Sequence, residues 1–334
     1  MRPNITSVAK LAGVSVATVS NVITGKKYVS PELTARVKQA IEELDYQPNM
    51  IARGLKSRKT NHIGVVVPDI TNPYFAEITR GIDEVAVKHG YQIFLCNTDG
   101  RADREKAIMN TLISHDVDGI ISVAPRLMES EIMEFVVKVP FVIVDRMCAL
   151  EHENLSILFI DNFKGGAEIA AHFYNSGHRK FACIGGPLSD QNAKNRLDGF
   201  CHMLKQFGID ASDILIKHGE FRYDSGYQLM DEILESAFKP TAVFAGNDLM
   251  AWGAHEAVKA RGLSIPDDIA LSGFDNIFFS AFLNPALTTV NQPKFEMGQK
   301  AMEMLLRDIN KEAQEQEDER KVMLDCELIV RDSG

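Results

Sequence analysis

The stretch Ile5-Thr6-Ser7-Val8-Ala9-Lys10-Leu11-Ala12-Gly13-Val14-Ser15-Val16-Ala17-Thr18-Val19-Ser20-Asn21-Val22-Ile23 decides how the chain begins to fold. It reads as two short helices joined at Gly13. Val8, Leu11 and Ala12 fall at helical spacing on one face, and Val19, Val22 and Ile23 do so on the next. Thr6 and Ser15 are the expected N-caps, since a hydroxyl there can accept from an amide that the first turn leaves unpaired. Gly13 supplies the sharp turn, where a side chain would obstruct the helix crossing. A helix-turn-helix places its second helix in the DNA major groove. The face offered would be Val16, Ala17, Thr18, Ser20 and Asn21.

A third helix follows at Ser30-Pro31-Glu32-Leu33-Thr34, with Ser30 as N-cap and Pro31 at the first helical position. Leu33, Val37, Ile41 and Leu44 repeat at helical spacing and would close a three-helix core. Then comes Tyr46-Gln47-Pro48-Asn49-Met50-Ile51-Ala52-Arg53-Gly54-Leu55-Lys56. These segments, in this order, resemble the LacI family of bacterial transcription regulators, and the last resembles the family's hinge almost residue for residue. The resemblance implies DNA contacts from Thr6, Ser7, Ser15, Val16, Ala17, Thr18, Ser20 and Asn21 in the head. In the hinge it implies Asn49, Ala52, Arg53, Leu55 and Lys56. About two turns are too few for an isolated helix in water. The hinge is therefore expected to become helical on DNA, with Leu55 wedged between base steps in the minor groove. Many relatives carry Asp at Ser7 and Arg at Asn21. Asn pairs with adenine where Arg pairs with guanine, so base preference should differ there.

Charge separates head from body. Residues 1–60 hold ten Lys or Arg and four Asp or Glu, a formal +6, within a chain of net −10. The remainder carries −16, and an acidic surface repels phosphates. Phosphate attraction is thus confined to one end, with Lys10, Lys26, Lys27, Arg36, Lys38, Lys56, Arg58 and Lys59 as candidates. No signal-like segment or apolar run of membrane-spanning length occurs, which points to the cytoplasm and to no membrane partner. The five cysteines, Cys96, Cys148, Cys183, Cys201 and Cys326, fit neither a disulfide framework nor a metal motif.

From Asn61 onward, short apolar strands alternate with helical segments. Ile63–Pro68, Tyr91–Cys96, Gly119–Val123 and Phe141–Val144 read as strands. The pattern restarts near residue 157, with Phe181–Ile184, Ile214–Ile216, Ala242–Ala245 and Ile269–Phe274. Near-continuous apolar strands separated by helices argue parallel sheets covered on both faces. Two such units imply two subdomains with a cleft between them, and ligands of open parallel sheets bind at the carboxyl ends of strands.

The LacI resemblance runs on through Asp69-Ile70-Thr71-Asn72-Pro73-Tyr74-Phe75, Gly246-Asn247-Asp248, Gly273-Phe274-Asp275-Asn276 and Pro285–Pro293. It implies an all-α helix-turn-helix head plus an α/β periplasmic-binding-protein-like sensor of two doubly wound subdomains. The expected division is 1–46 for the head, 47–60 for hinge and linker, and 61–334 for effector binding and dimerisation. The N-subdomain would comprise about 61–160 and 292–322, the C-subdomain about 161–291 and 323–334, with chain crossings near 160, 291 and 322.

A sugar site needs planar bidentate groups for vicinal hydroxyls and apolar rings for C–H faces. Asp145, Arg146, Asn247 and Asp275 follow strands, and Arg196 is expected to open a helix after the Gly185-Gly186-Pro187 loop. The resemblance assigns effector contacts to Phe75, Arg196, Phe221, Asn247 and Asp275. Asp145 and Arg146 resemble the pair seen in pentose-type sensors. Arg196 and Asp275 could instead form a plain buried ion pair, and Phe221 could be core. The loop Ser189–Asn195 has no readable counterpart. No metal set, catalytic nucleophile with its base, or phosphate loop stands out, so neither an enzyme nor a cofactor is expected.

The reading is a dimeric, effector-controlled repressor of sugar-utilisation genes. Its partners are palindromic double-stranded operator DNA and a small-molecule sugar or sugar derivative. The alternative is a catabolite-control regulator modulated by a phosphoprotein. Under the first reading, Arg196→Ala and Asp275→Asn are expected to remove the effector response and leave operator binding unchanged.

Overall fold

The computed structural model describes residues 3–24, 27–46, 59–311 and 320–334. Two compact units divide the chain at Thr60 and Asn61. The hinge residues Asn49, Ala52, Arg53, Leu55 and Lys56 lie outside the described residues.

The head contains α1 (Ile5–Ala12), α2 (Val16–Thr24) and α3 (Pro31–Glu43). Val8, Ala9, Ala12, Val19, Val37 and Ala40 form its core. Leu11, expected inside, is 46% exposed. The first N-cap is Asn4 rather than Thr6: its carboxamide accepts from the Ser7 amide at 2.9 Å. Ile5 is already helical, which leaves Thr6 inside the first turn. Ser15 and Ser30 cap as expected, accepting from the amides of Thr18 and Leu33. Gly13 ends α1 at φ +64°, the left-handed conformation glycine adopts at least cost. The Arg36 guanidinium donates to the Ala12 carbonyl at 2.6 Å. Arg36 thus satisfies a helix C-terminus rather than standing free for phosphate.

In the sensor, the first sheet has the order β2-β1-β3-β4-β5-β11. Its strands are β1 (His62–Val67), β2 (Gln92–Asn97), β3 (Gly119–Val123), β4 (Phe141–Val144), β5 (Leu155–Ile160) and β11 (Lys321–Leu324). The second sheet runs β7-β6-β8-β9-β10-β12. Its strands are β6 (Phe181–Gly185), β7 (Ile214–His218), β8 (Ala242–Ala245), β9 (Ala270–Asp275), β10 (Thr288–Asn291) and β12 (Glu327–Ile329). Central strands β3, β4, β6, β8 and β9 are buried along their whole length, as helices on both faces require. Among the described residues, the one departure from parallel pairing is β12, antiparallel to β10.

The flanking helices are α4 (Pro73–Lys88), α5 (Ala102–Ser114), α6 (Glu129–Val136), α7 (Asn162–Asn175), α8 (Gln191–Gln206), α9 (Tyr223–Glu235), α10 (Asp248–Ala260) and α11 (Lys294–Asn310). α4 and α11 touch backbone to backbone: a Cβ on Gly81 would strike the Phe295 carbonyl, and one on Gly298 the Ile78 carbonyl. α11 follows the second crossing yet packs on the first sheet's helix. The chain leaves the first sheet after Ile160 and the second after Asn291. The third passage falls between Leu324 and Glu327, slightly after the expected position near 322, because Met323 and Leu324 still pair with β5.

Each sheet reverses its strand order once, between β1 and β3 and between β6 and β8. At such reversals adjacent loops diverge and leave a crevice at the carboxyl ends of the strands.

Candidate functional site

In the head, α2 presents Val16 and Ala17 to solvent, with Thr18, Ser20 and Asn21 half-buried beside them. Val19 points inward and is fully buried. Ser15 Oγ lies 2.9 Å from Thr18 Oγ1 and accepts the Thr18 amide, so both hydroxyls also shape the start of the helix. Thr6 is exposed, and Ser7 is half-buried with its hydroxyl donating to Asn4 at 3.2 Å.

In the sensor, a cavity of about 570 Å³ opens at the carboxyl ends of the strands of both sheets. Phe75, Asp145, Arg146, Arg196, Phe221, Asn247 and Asp275 all line it. Five non-glycine lining residues at strand or loop ends have positive φ: Asp99 (+54°), Ala124 (+46°), Asp145 (+58°), Phe221 (+58°) and Asp275 (+109°). Each costs about 1–3 kcal/mol in a non-glycine residue and persists only where its surroundings over-determine it. Such strain aims Asp145, Phe221 and Asp275 at the cleft.

Arg196 lies in the second turn of α8, which starts at Gln191, not at Arg196 as expected. The Asp190 carboxylate caps that helix by accepting from the Ala193 amide at 2.8 Å. Arg196 is 4% exposed. Its Nε donates to Asn162 at 2.8 Å. Its Nη1 donates to the Gly246 carbonyl at 2.8 Å and to Asp275 Oδ1 at 3.3 Å. The guanidinium stacks 3.8 Å from the Phe274 ring centroid. It is therefore both a buried ion-pair partner and a wall of the cleft.

Gln292 Nε2 donates to Asp275 Oδ1 at 2.7 Å, and its Oε1 accepts from the Tyr74 hydroxyl at 2.8 Å. Asn247 caps α10 by accepting from Met250 and donates to the Phe221 carbonyl at 3.1 Å. Its amide keeps one hydrogen and one lone pair for a ligand. Arg146 donates to the Pro125 and Leu127 carbonyls, at 2.9 and 2.7 Å.

Two contacts bridge the cleft. Arg126, after β3, pairs with Asp190, before α8. Asn192 donates to the Asp145 carbonyl and carboxylate at 2.7 and 3.0 Å. Sequence reasoning left out Arg126, Asp190, Asn192, Tyr74 and Gln292. Asp190 followed by Ala193 at capping distance was the one available signal.

Burial pushes the Asp145 carboxyl up to about 7, partly opposed by Arg196. Burial also raises Asp275, against the pull of Arg196 and Lys294, and pushes Asp248 up to about 7. An unfolded aspartate ionises near about 3.9. Between there and about 7 the folded state holds a proton at Asp145 that the unfolded state has lost, so its contribution to stability falls as pH rises through that window. Asp145→Asn should flatten the decline of melting temperature between about pH 4 and about pH 7. Parallel curves for variant and wild type would assign the proton elsewhere.

Residues 4–49 match the family of bacterial regulatory proteins called the lacI family. Residues 60–331 match the periplasmic binding proteins and sugar binding domain of the LacI family. The chain belongs to the LacI family. It is 37% identical to the ribose operon repressor of Escherichia coli strain K12, across 93% of this chain and 94% of that protein. It is 36% identical to catabolite control protein A of Priestia megaterium, over 93% and 94%. The Lac repressor dimer bound to operator and the anti-inducer ONPF superposes with a TM-score of 0.89 at 26% identity, covering 100% of this chain and 99% of that one. This LacI-family chain is thus a transcriptional repressor with a helix-turn-helix DNA-binding head and a sugar-binding type of sensor, and the relatives named are themselves transcription regulators.

Proposed function

We propose that the chain works in the cytoplasm as a homodimer on a palindromic operator, controlled by a neutral sugar in the sensor cleft. The observation that carries this is the cleft floor: Asp145, Arg196 and Asp275, each about 4% exposed, converge at strand ends beside the rings of Phe75 and Phe221. Carboxylates and guanidinium bind vicinal hydroxyls by charge-assisted hydrogen bonds, and aromatic rings cover C–H faces. DNA contacts are assigned to Thr6, Ser7 and the α2 face.

Charge selects the effector class. The lining holds Asp69, Asp99, Asp145, Asp190, Glu220 and Asp275 against Arg126, Arg146, Arg196 and Arg222. Arg126 and Arg196 are paired with carboxylates, and Arg146 donates to carbonyls. The formal balance is −2, less so where burial keeps a proton on Asp145, so the lining has no excess of positive charge to hold a phosphate ester. The Asp145-Arg146 pair, like that of pentose-type sensors, and the ribose operon repressor among the relatives make D-ribose the first probe. The phosphoprotein-controlled alternative is not favoured, because these convergent polar groups already describe a small-molecule site.

Calorimetry should show D-ribose binding, and ribose 5-phosphate weaker by at least about tenfold, or about 1.4 kcal/mol. Tighter binding of the phosphate would overturn the neutral-sugar reading.

A further inference from the structure

Lys294 is 3% exposed at the start of α11, where the chain has just crossed between subdomains. An ammonium carries three donors, and here all three have carbonyl partners. Its Nζ donates to Asp275 at 2.7 Å, to Asn276 at 3.0 Å and to Gln292 at 3.2 Å. The charged groups facing it are Asp275, Asp248 and Glu77, the last with its carboxylate 3.9 Å away on α4.

Two of those carbonyls belong to consecutive residues in strained backbone, Asp275 at φ +109° and Asn276 at φ +49°. Asn276 is tied from other sides too. Its amide donates to Thr289, its carboxamide donates to Asn291, and its side-chain oxygen accepts from Arg331 at 2.7 Å. Strain of this kind persists only where neighbours hold it. From the crossing segment Gln292–Lys294, Gln292 holds the Asp275 carboxylate, and Lys294 holds the backbone carbonyls of both Asp275 and Asn276. That segment meets the first subdomain through Tyr74 and Glu77, and α11 then packs on α4.

We propose that Lys294 is a positioning residue: by clamping the Asp275–Asn276 turn to the crossover, it aims the Asp275 carboxylate into the cleft and links it to the first subdomain. The sugar-binding consequence rests on the function proposed above, whereas the clamp stands on geometry alone. With the clamp in place, contact between a ligand and Asp275 is felt by a segment shared by both subdomains. Without it, the turn relaxes and the carboxylate loses its fixed direction.

The test compares full-length Lys294→Met, which keeps the stem and removes every donor, with Lys294→Gln, which keeps a shorter neutral donor. Amide hydrogen exchange without added sugar should rise at Asn276 and Ile277 by at least about tenfold in Lys294→Met, as expected when backbone acceptors lose buried partners. Lys294→Gln should fall between that variant and wild type, and it carries the comparison if Lys294→Met does not fold. D-ribose affinity by calorimetry should weaken in the same order. Glu77→Gln, which leaves the three carbonyl bonds in place, should match wild type in exchange at Asn276 and Ile277. Wild-type exchange at Asn276 and Ile277 in both Lys294 variants, with only a lowered melting temperature, would overturn the clamp. Faster exchange at the turn with unchanged ribose affinity would overturn the aiming of Asp275. A wild-type protein that ignores ribose would refute the choice of sugar, while the exchange data would still decide the clamp.

Discussion

Arg196→Ala should abolish sugar binding and lower the stability of the sensor by about 3–5 kcal/mol, the usual consequence of leaving a buried charge without its partner. Arg196 and Asp275 are both about 5% exposed in their side chains. Truncation leaves the Asp275 carboxylate with Gln292 but without its paired guanidinium, frees the Gly246 carbonyl and Asn162, and removes the cation stacked on Phe274. This corrects the sequence-based expectation that such a variant would alter the effector response alone. Operator binding should survive only at temperatures where the sensor stays folded. Asp275→Asn keeps the shape and an acceptor for Gln292, so it should lose ribose with a smaller fall in stability. Thermal unfolding and ribose calorimetry on the two variants check both statements. Wild-type ribose affinity in Arg196→Ala would reduce the pair to a structural bridge.

A second large effect is expected from breaking the proposed dimer. Phe278 and Phe282 are 68% and 70% exposed, with ring centroids 4.8 Å apart, and Phe279 continues the cluster to Trp252. On the first sheet, Phe94 and Leu95 stand exposed on edge strand β2. Apolar surfaces of this kind mark contact sites. A head of this size reads half of a palindrome, so a tethered pair gains about 10²- to 10⁴-fold in apparent affinity. Phe282→Asp combined with Phe278→Asp should yield monomers in sedimentation at micromolar protein. Operator affinity should fall by about that factor, while ribose binding persists. A dimeric variant with intact operator affinity would place the interface elsewhere.

The α/β alternation was legible because buried parallel strands are apolar throughout, as in Gly119–Val123 and Phe141–Val144. Of the seven cleft residues, Asp145, Arg146, Asn247 and Asp275 were legible because strand ends face the crevice, whereas Phe75 and Arg196, on helices, and Phe221, in a loop, were pointed to by the LacI resemblance. Asp190 and Asn192 were not legible. Their roles depend on a partner in the other subdomain, Arg126 and Asp145 respectively, at separations of 64 and 47 residues. Gln292 and Lys294 likewise act through Asp275, and nothing in their local spacing shows it. Leu11 matched the helical repeat but sits at the edge of the core face, so the three-helix packing leaves it half in solvent. The third crossing was placed early because the short strand Lys321–Leu324 has half-buried, alternating residues and no continuous apolar run.

Ligand in the cleft and operator at the head are expected to be thermodynamically linked. The direct measurement is operator affinity of the full-length wild-type protein with and without saturating D-ribose, at fixed salt. A linkage of about 1–3 kcal/mol predicts a change of about 5- to 150-fold, with ribose affinity changing by the same factor when operator is saturating. Ribose that binds in the cleft and leaves operator affinity unchanged would contradict it.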